Sequence, residues 1–358
     1  MNAHPYRSLP DHAFWRRAVG QVLPSEINPV VAVPFPLTSD DQIVTAGSCF
    51  AQHIGARLQA NNFKFLVTEK AHPIASPAVA DQFNYGIFSA RYGNIYTARQ
   101  LLQLFNRVYH RFAPREDVWK SEDGRFIDPF RPQIQPGGFL TTREYELDRE
   151  QHFAAVRQAF EQLDVFVFTL GLTEAWCSAE DGAVYPLCPG VAGGNYDADK
   201  YHFQNFNISE VVEDLLSFID SLRLMNPISR IVLTVSPVPL VATARPDTHV
   251  LAATVYSKSV LRVAAEMVAQ QRSNVAYFPA YEIIIGRFDA GTYFTEDRRS
   301  VTEAGVAHVM RVFFRCFTNV SSDPASAEPL AEAPEAADLR EMEELVKIHC
   351  DEVALDRP

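Results

Sequence analysis

Gly47-Ser48-Cys49-Phe50 stands where the apolar run Gln42-Ile43-Val44-Thr45-Ala46 ends and the segment Ala51 to Asn61 begins. That segment has Ile54 and Leu58, flanked by Ala51 and Gly55, at helical spacing. A serine held between a strand end and a helix N-terminus exposes its hydroxyl at the carboxyl edge of a sheet, beside unpaired backbone N–H groups. That is the place for an acyl-transfer nucleophile with a built-in oxyanion donor. The plainer alternative is a small-residue turn with Ser48 as the helix N-cap. Cys49 adjoins the same helix start, which lowers a thiol pKa. It is a second possible nucleophile, though nothing in the sequence favours it over Ser48.

Other chemistry-bearing groups follow later strand ends. Gly171-Leu172-Thr173-Glu174 comes after the apolar run Asp164 to Leu170. In Tyr92-Gly93-Asn94-Ile95-Tyr96, Gly93 lets a backbone N–H approach a ligand and Asn94 offers an amide donor. Ser236-Pro237-Val238-Pro239 ends the run Arg230 to Val235 and leads to Asp247-Thr248-His249. A loop after Val275–Phe278 contains Asp297-Arg298-Arg299-Ser300.

The elements that must position these groups alternate. Residues 1–40 carry six prolines and read as an extended lead-in with one helix near Asp11–Val22. Residues 41–318 read as one α/β domain: strands at 42–46, 63–67, 164–170, 230–235 and 275–278, with helices between them. The expected helices span Ala98–His110, Asp148 (as cap) to Gln162, Ser209 (as cap) to beyond Leu222, Val255–Gln270 and Thr302 (as cap) to Phe317. Arg115 to Thr142, rich in Pro and Gly, reads as an elaborated loop. Buried strands alternating with helices imply a doubly wound parallel sheet that binds ligands beyond its strand carboxyl ends. Residues 319–338, rich in Ala, Pro, Ser and Glu, read as a flexible linker. Residues 339–358 hold a short amphipathic helix that docks back or binds a partner.

Composition narrows the functions. A net charge of −12 argues against a nucleic-acid-binding surface, which needs clustered Lys and Arg. No run approaches about 20 apolar residues, so no membrane span is expected. The polar stretch Met1 to Pro10 lacks a signal-peptide core. The five cysteines, Cys177 and Cys188 included, fit reduced thiols in a cytoplasmic protein. No metal-ligand spacing and no glycine-rich nucleotide fingerprint is present, so no metal site, no cofactor and no dehydrogenase chemistry is expected.

The segments Gly47-Ser48-Cys49-Phe50-Ala51, Tyr92 to Tyr96, Thr169 to Glu174, Ser236-Pro237-Val238 and Tyr256-Ser257-Lys258-Ser259 resemble the pattern of the GSCFA family. That family in turn resembles the SGNH/GDSL hydrolases, which run serine esterase and O-acyltransfer chemistry on a flavodoxin-like sheet. The resemblance implies Ser48 as nucleophile, with the N–H of Ser48 or Cys49 and the Gly93–Asn94 turn donating to the oxyanion. Gly171 and Glu174 line the same crevice, and Thr173 stands where the superfamily keeps an asparagine donor. The superfamily's Asp-x-x-His base motif is broken: Asp297 is present, but Ser300 occupies the histidine position, and an ordinary hydroxyl is no general base near neutral pH. His249, two residues after Asp247, is the replacement expected, the alternative being a solvent-facing loop histidine. His202, in an aromatic- and amide-rich loop, is the second choice for a base or a substrate contact. Lys258 either binds an anionic group at a helix start or is merely exposed, and His308 is structural.

Three functions stay open at this point. The first is an esterase or O-acyltransferase acting on a small acyl ester, such as that of a carbohydrate or polysaccharide precursor. The second is a ligand-binding protein that has lost the base. The third is an interaction protein working through its C-terminal helix.

Overall fold

The computed structural model describes residues 4–318 and 350–356. Its elements run β1 (Ile43–Gly47), α1 (Phe50–Ala60), α2 (Pro77–Gln82), α3 (Ala98–Val108), β2 (Trp119–Lys120), β3 (Phe126–Ile127), α4 (Thr142–Gln162) and β4 (Val165–Leu170). They continue with β5 (Glu174–Ser178), β6 (Val184–Tyr185), β7 (Tyr201–Asn205), α5 (Ile208–Met225), β8 (Arg230–Val235), α6 (Val250–Gln271), β9 (Val275–Phe278), α7 (Ala280–Ile285) and α8 (Glu303–Phe317).

The four continuous apolar runs form one all-parallel sheet in the order β1-β4-β8-β9. Such runs arise because both sheet faces are covered. Phe166, Phe168, Leu170, Ile231 and Leu233 face a core closed by Phe105 of α3, Phe160 of α4, Phe218 of α5 and Leu261 of α6. Val165, Val167, Val232 and Phe278 face the opposite core, closed by Ile54 of α1, Ile283 of α7 and Val309 and Phe313 of α8. The mixed α/β class is therefore as expected, with helices on both sides. All strand carboxyl ends point to one edge, and the candidate groups gather there.

Several local expectations change. The strand expected at 63–67 reduces to one bridge, Ile43 with Phe65. Ile43 N–H donates to Lys64 O (2.9 Å) and Leu66 N–H to Ile43 O (2.9 Å), which seats this segment on the outer side of β1. Residues after Leu170, read as a loop, build a second, antiparallel sheet in the order β6-β5-β7. The 115–142 loop contributes the hairpin β2–β3, whose Trp119 and Ile127 pack with Tyr185 and Tyr201 of that sheet. In place of one helix near Asp11–Val22, the lead-in has 3₁₀ turns at Pro5–Ser8, Asp11–Ala13 and Pro24–Glu26 and a π-helical turn at Arg16–Gly20.

Helix starts shift for physical reasons. Thr141, not Asp148, caps α4 by accepting the Glu144 N–H, and Asp148 is drawn inward by two arginines. Asn207 displaces Ser209 as the cap of α5, because Glu210 returns a hydrogen bond to its backbone and completes a capping box. Replacing Asn207 with Ala removes both donors' acceptor and lowers stability by about 1 kcal/mol, measured by urea unfolding. Thr302 caps α8 as expected. Of the C-terminal region, residues 319–349 lie outside the described residues. Asp351–Asp356 forms a short 3₁₀ helix.

Candidate functional site

Ser48 sits 3% exposed at the end of β1, and its Oγ has no hydrogen-bond partner among the described residues. Three neighbours fix it. Gly47 adopts φ +140°, and a Cβ there would come within 2.4 Å of Thr169 O, so β1 runs tight against β4 up to the serine. Gly171 lies so close that an added Cβ would stand 2.9 Å from Ser48 Cβ. Ile95 N–H donates to Gly47 O (2.8 Å), tying the Gly93–Asn94 turn to the same strand end.

The donors expected around Ser48 are engaged, most of them by the scaffold and Asn94 by the C-terminal segment. Ser48 N–H is not an oxyanion donor, because it already donates to Thr169 O (3.2 Å). Gly171 N–H is likewise committed to Tyr96 O (3.1 Å). The Thr173 hydroxyl donates to Asn205 Oδ1 (2.7 Å), and its N–H to Ser257 Oγ (3.0 Å). Asn94, by contrast, is held by Gln52, which donates to its Oδ1 (3.2 Å), so that its Nδ2 is aimed at an acceptor. That acceptor is the carboxylate of Asp351 (3.0 Å), and Asn94 N–H donates to the same group.

The segment Cys350–Asp356 thus occupies the crevice, whereas the amphipathic helix expected from Leu339, which docks back or binds a partner, lies mostly outside the described residues. Glu352 pairs with Arg299 Nη2 (3.2 Å), and Arg299 also donates to Cys350 Sγ (3.5 Å) and Pro239 O (3.1 Å). Cys350 makes a hydrogen bond with Cys49. The expected lowering of the Cys49 thiol is reversed: that hydrogen bond and burial raise it well above the ordinary value. All five cysteines are free. Burial lifts the Asp351 carboxyl to about 6, and burial followed by the neighbouring Cys350 lifts Glu352 to about 8.

Lys258 is neither exposed nor at a helix start. It lies within α6, 1% exposed, and donates to Gly171 O (2.7 Å). Burial lowers its amine to about 8. Glu174 is half-buried and accepts from the Thr243 hydroxyl (2.8 Å), with burial raising its carboxyl.

The histidines go elsewhere. His249 is the exposed N-cap of α6, its Nδ1 accepting the Leu251 N–H (3.1 Å), and no hydrogen bond links it or the exposed Asp247 to Ser48. His202 is exposed on β7, opposite Cys177. His308 is structural as expected, bonded to the Tyr293 hydroxyl and Ile27 O (2.8 Å each). In the broken base motif Asp297 accepts from Ser300 Oγ (2.6 Å) and the N–H groups of Arg299 and Ser300. Against opposing burial, these hydrogen bonds hold its carboxyl well below the usual range. The loop is closed on itself and presents Arg299 to Cys350 and Glu352.

Arg299, Asp351, Glu352 and Cys350 carried no signal as site residues before folding brought them together. Lys258 did carry one, through its place in Tyr256-Ser257-Lys258-Ser259. Among the described residues no helix is long and apolar enough to cross a membrane, and no group of three or more His, Cys, Asp and Glu could hold a metal ion. The GSCFA family model matches residues 42–313. Among curated proteins none matches the chain.

Proposed function

The chain belongs to the GSCFA family, and from that premise we propose a serine-dependent esterase or O-acyltransferase acting on a small acyl ester. An ester of a carbohydrate or polysaccharide precursor is one such substrate. The observation that carries this reading is the partnerless, buried Ser48 Oγ, set between a helix N-terminus and the Gly93–Asn94 turn. The parallel sheet, with 63–66 seated outside β1, supports a flavodoxin-like, SGNH-hydrolase-like scaffold.

In the proposed course Ser48 Oγ attacks the acyl carbonyl carbon and gives its proton to a neutral Lys258 amine. An amine with a pKa near 8 has a usable neutral fraction at physiological pH. The oxyanion accepts from Asn94 and from the Cys49 N–H. Collapse breaks the ester bond, and the leaving alkoxide takes the proton from Lys258. Water or an acceptor hydroxyl then attacks the acyl-serine by the reverse route. Lys258 takes the role first given to His249 because it is buried against the Gly171 backbone that touches Ser48.

Intact mass after fluorophosphonate treatment tests this. One adduct is expected on the wild type, none on Ser48→Ala, at least 100-fold slower formation in Lys258→Met, and an unchanged rate in His249→Ala. Failure of any adduct to form, even with the C-terminal segment displaced, leaves the ligand-binding reading. That second reading is favoured by one observation, the self-satisfied Asp297–Ser300 loop.

A further inference from the structure

Asp351 and Glu352 are 6% and 5% exposed, yet both are charge-bearing side chains of a segment far in sequence from everything they touch. Burying a carboxylate is costly unless the site supplies donors and charge. This crevice supplies both, and against them burial still lifts the two carboxyls. Asp351 takes the two Asn94 donors, which are the ones proposed above to hold an oxyanion. Glu352 meets the Arg299 guanidinium and the field of Lys258. The Tyr96 hydroxyl is buried beside this segment with no partner among the described residues, as is Ser48 Oγ. Next to Asp351 a cavity lined by Gly93, Asn94 and Arg131 has a volume of ≈ 20 Å³, enough for about one water. The segment fills the site.

We propose that the crevice is an anion-recognition site, built for an acyl ester that carries an acidic group, and that Cys350–Asp356 is its intramolecular ligand. Asp351 occupies the position of the carbonyl oxygen under attack, and Glu352 that of the acidic group held by Arg299. The placing of the carbonyl oxygen rests on the serine reading above; the anion site does not. An anionic substrate displaces the segment by competing for the same donors, whereas a neutral ester of equal size does not.

The test uses the full chain and iodoacetamide, with Cys49 modification read by peptide mass at fixed ionic strength. The buried Cys49 thiol, bonded to Cys350 and raised well above its ordinary value, reacts slowly in the wild type. Millimolar glutarate speeds modification of Cys49 at least fivefold, and glutaramide, its neutral isostere, does not. Glu352→Lys, which sets a second cation against Arg299, speeds it at least tenfold without glutarate. Arg299→Met removes the glutarate response. Wild-type Cys49 reacting as fast as in the urea-unfolded chain overturns the proposal, and so does equal acceleration by glutaramide. Fluorophosphonate labelling separates the two readings. Faster Ser48 labelling in Glu352→Lys supports both. Glutarate-dependent Cys49 exposure with no serine adduct in either chain keeps the anion site and ends the serine reading. Equal Ser48 labelling in wild type and Glu352→Lys ends the proposal and keeps the serine.

Discussion

Arg131→Met lowers the stability of the chain by about 3–5 kcal/mol, the cost of leaving buried charges without their partner. Arg131 donates to Asp128 (2.8 Å), to Asp148 (2.7 Å) and to Arg91 O (3.3 Å), and its side chain is 3% exposed. Arg91, equally buried, reaches Asp148 (2.8 Å), Phe83 O (2.8 Å) and Ile134 O (3.0 Å), while its backbone N–H donates to Glu69 (2.7 Å). Glu69 is bonded in turn to His152 (2.7 Å). A methionine fills the volume but leaves the Asp128 carboxylate with only the Phe130 N–H (2.9 Å) and the field of Arg107, so adding Asp128→Asn recovers part of the loss in urea unfolding. The network also serves the site. Arg91 precedes Tyr92-Gly93-Asn94 directly, so the turn that aims Asn94 hangs from these ion pairs. Fluorophosphonate labelling of Ser48 therefore falls along with stability.

The same network sets an acid limit. Against its burial, Glu69 is held at about 2 by His152 and Arg131. A carboxyl depressed in the folded state contributes stability that is complete above its unfolded pKa. That contribution is lost as pH falls from about 4.5 toward 2. Stability measured at pH 6 and pH 3 shows the drop in the wild type and a smaller one in Glu69→Gln.

The parallel sheet was legible because continuous runs such as Val165 to Leu170 have one economical home, a strand covered on both faces. Ser48 was legible because a glycine-serine pair at a strand-to-helix junction leaves a hydroxyl few other places to go. The base proposed here, Lys258, was not, since the search turned on a histidine motif, and sequence spacing cannot show that Asp297 folds back on Ser300. Lys258 stayed open between an anion contact and an exposed residue because nothing near it in sequence discloses the Gly171 carbonyl, 87 positions earlier, that receives its amine. Asp351 meets Asn94 across 257 residues. A contact of that range has no periodicity to announce it. The second sheet was missed because β5 and β7 mix polar and apolar residues without strict alternation.

Two glycines one strand apart give opposite outcomes when replaced by alanine, and the contrast separates scaffold from chemistry. At Gly47 the added methyl would stand 2.4 Å from Thr169 O and 2.8 Å from Thr169 N, on a backbone at φ +140° that an L-residue rarely adopts. Neither neighbour can yield, because both belong to the β1–β4 ladder. Gly47→Ala therefore costs more than about 4 kcal/mol, in the range where one substitution removes most of a domain's stability. At Gly171 no positive φ is involved, and the methyl would press on Ser48 Cβ at 2.9 Å and on Tyr96 O at 3.1 Å. Ser48 Cβ moves only with its backbone, and Tyr96 O is backbone too, so relief takes a small main-chain shift; without a positive φ that costs about 1–3 kcal/mol, and Gly171→Ala keeps a cooperative unfolding transition. Its reactivity does not survive as well. Attack geometry degrades about 100-fold for a displacement near 1 Å, so Ser48 labelling in Gly171→Ala falls by at least tenfold while the fold persists. A Gly171→Ala chain that labels at the wild-type rate would show that Ser48 does not react from this position.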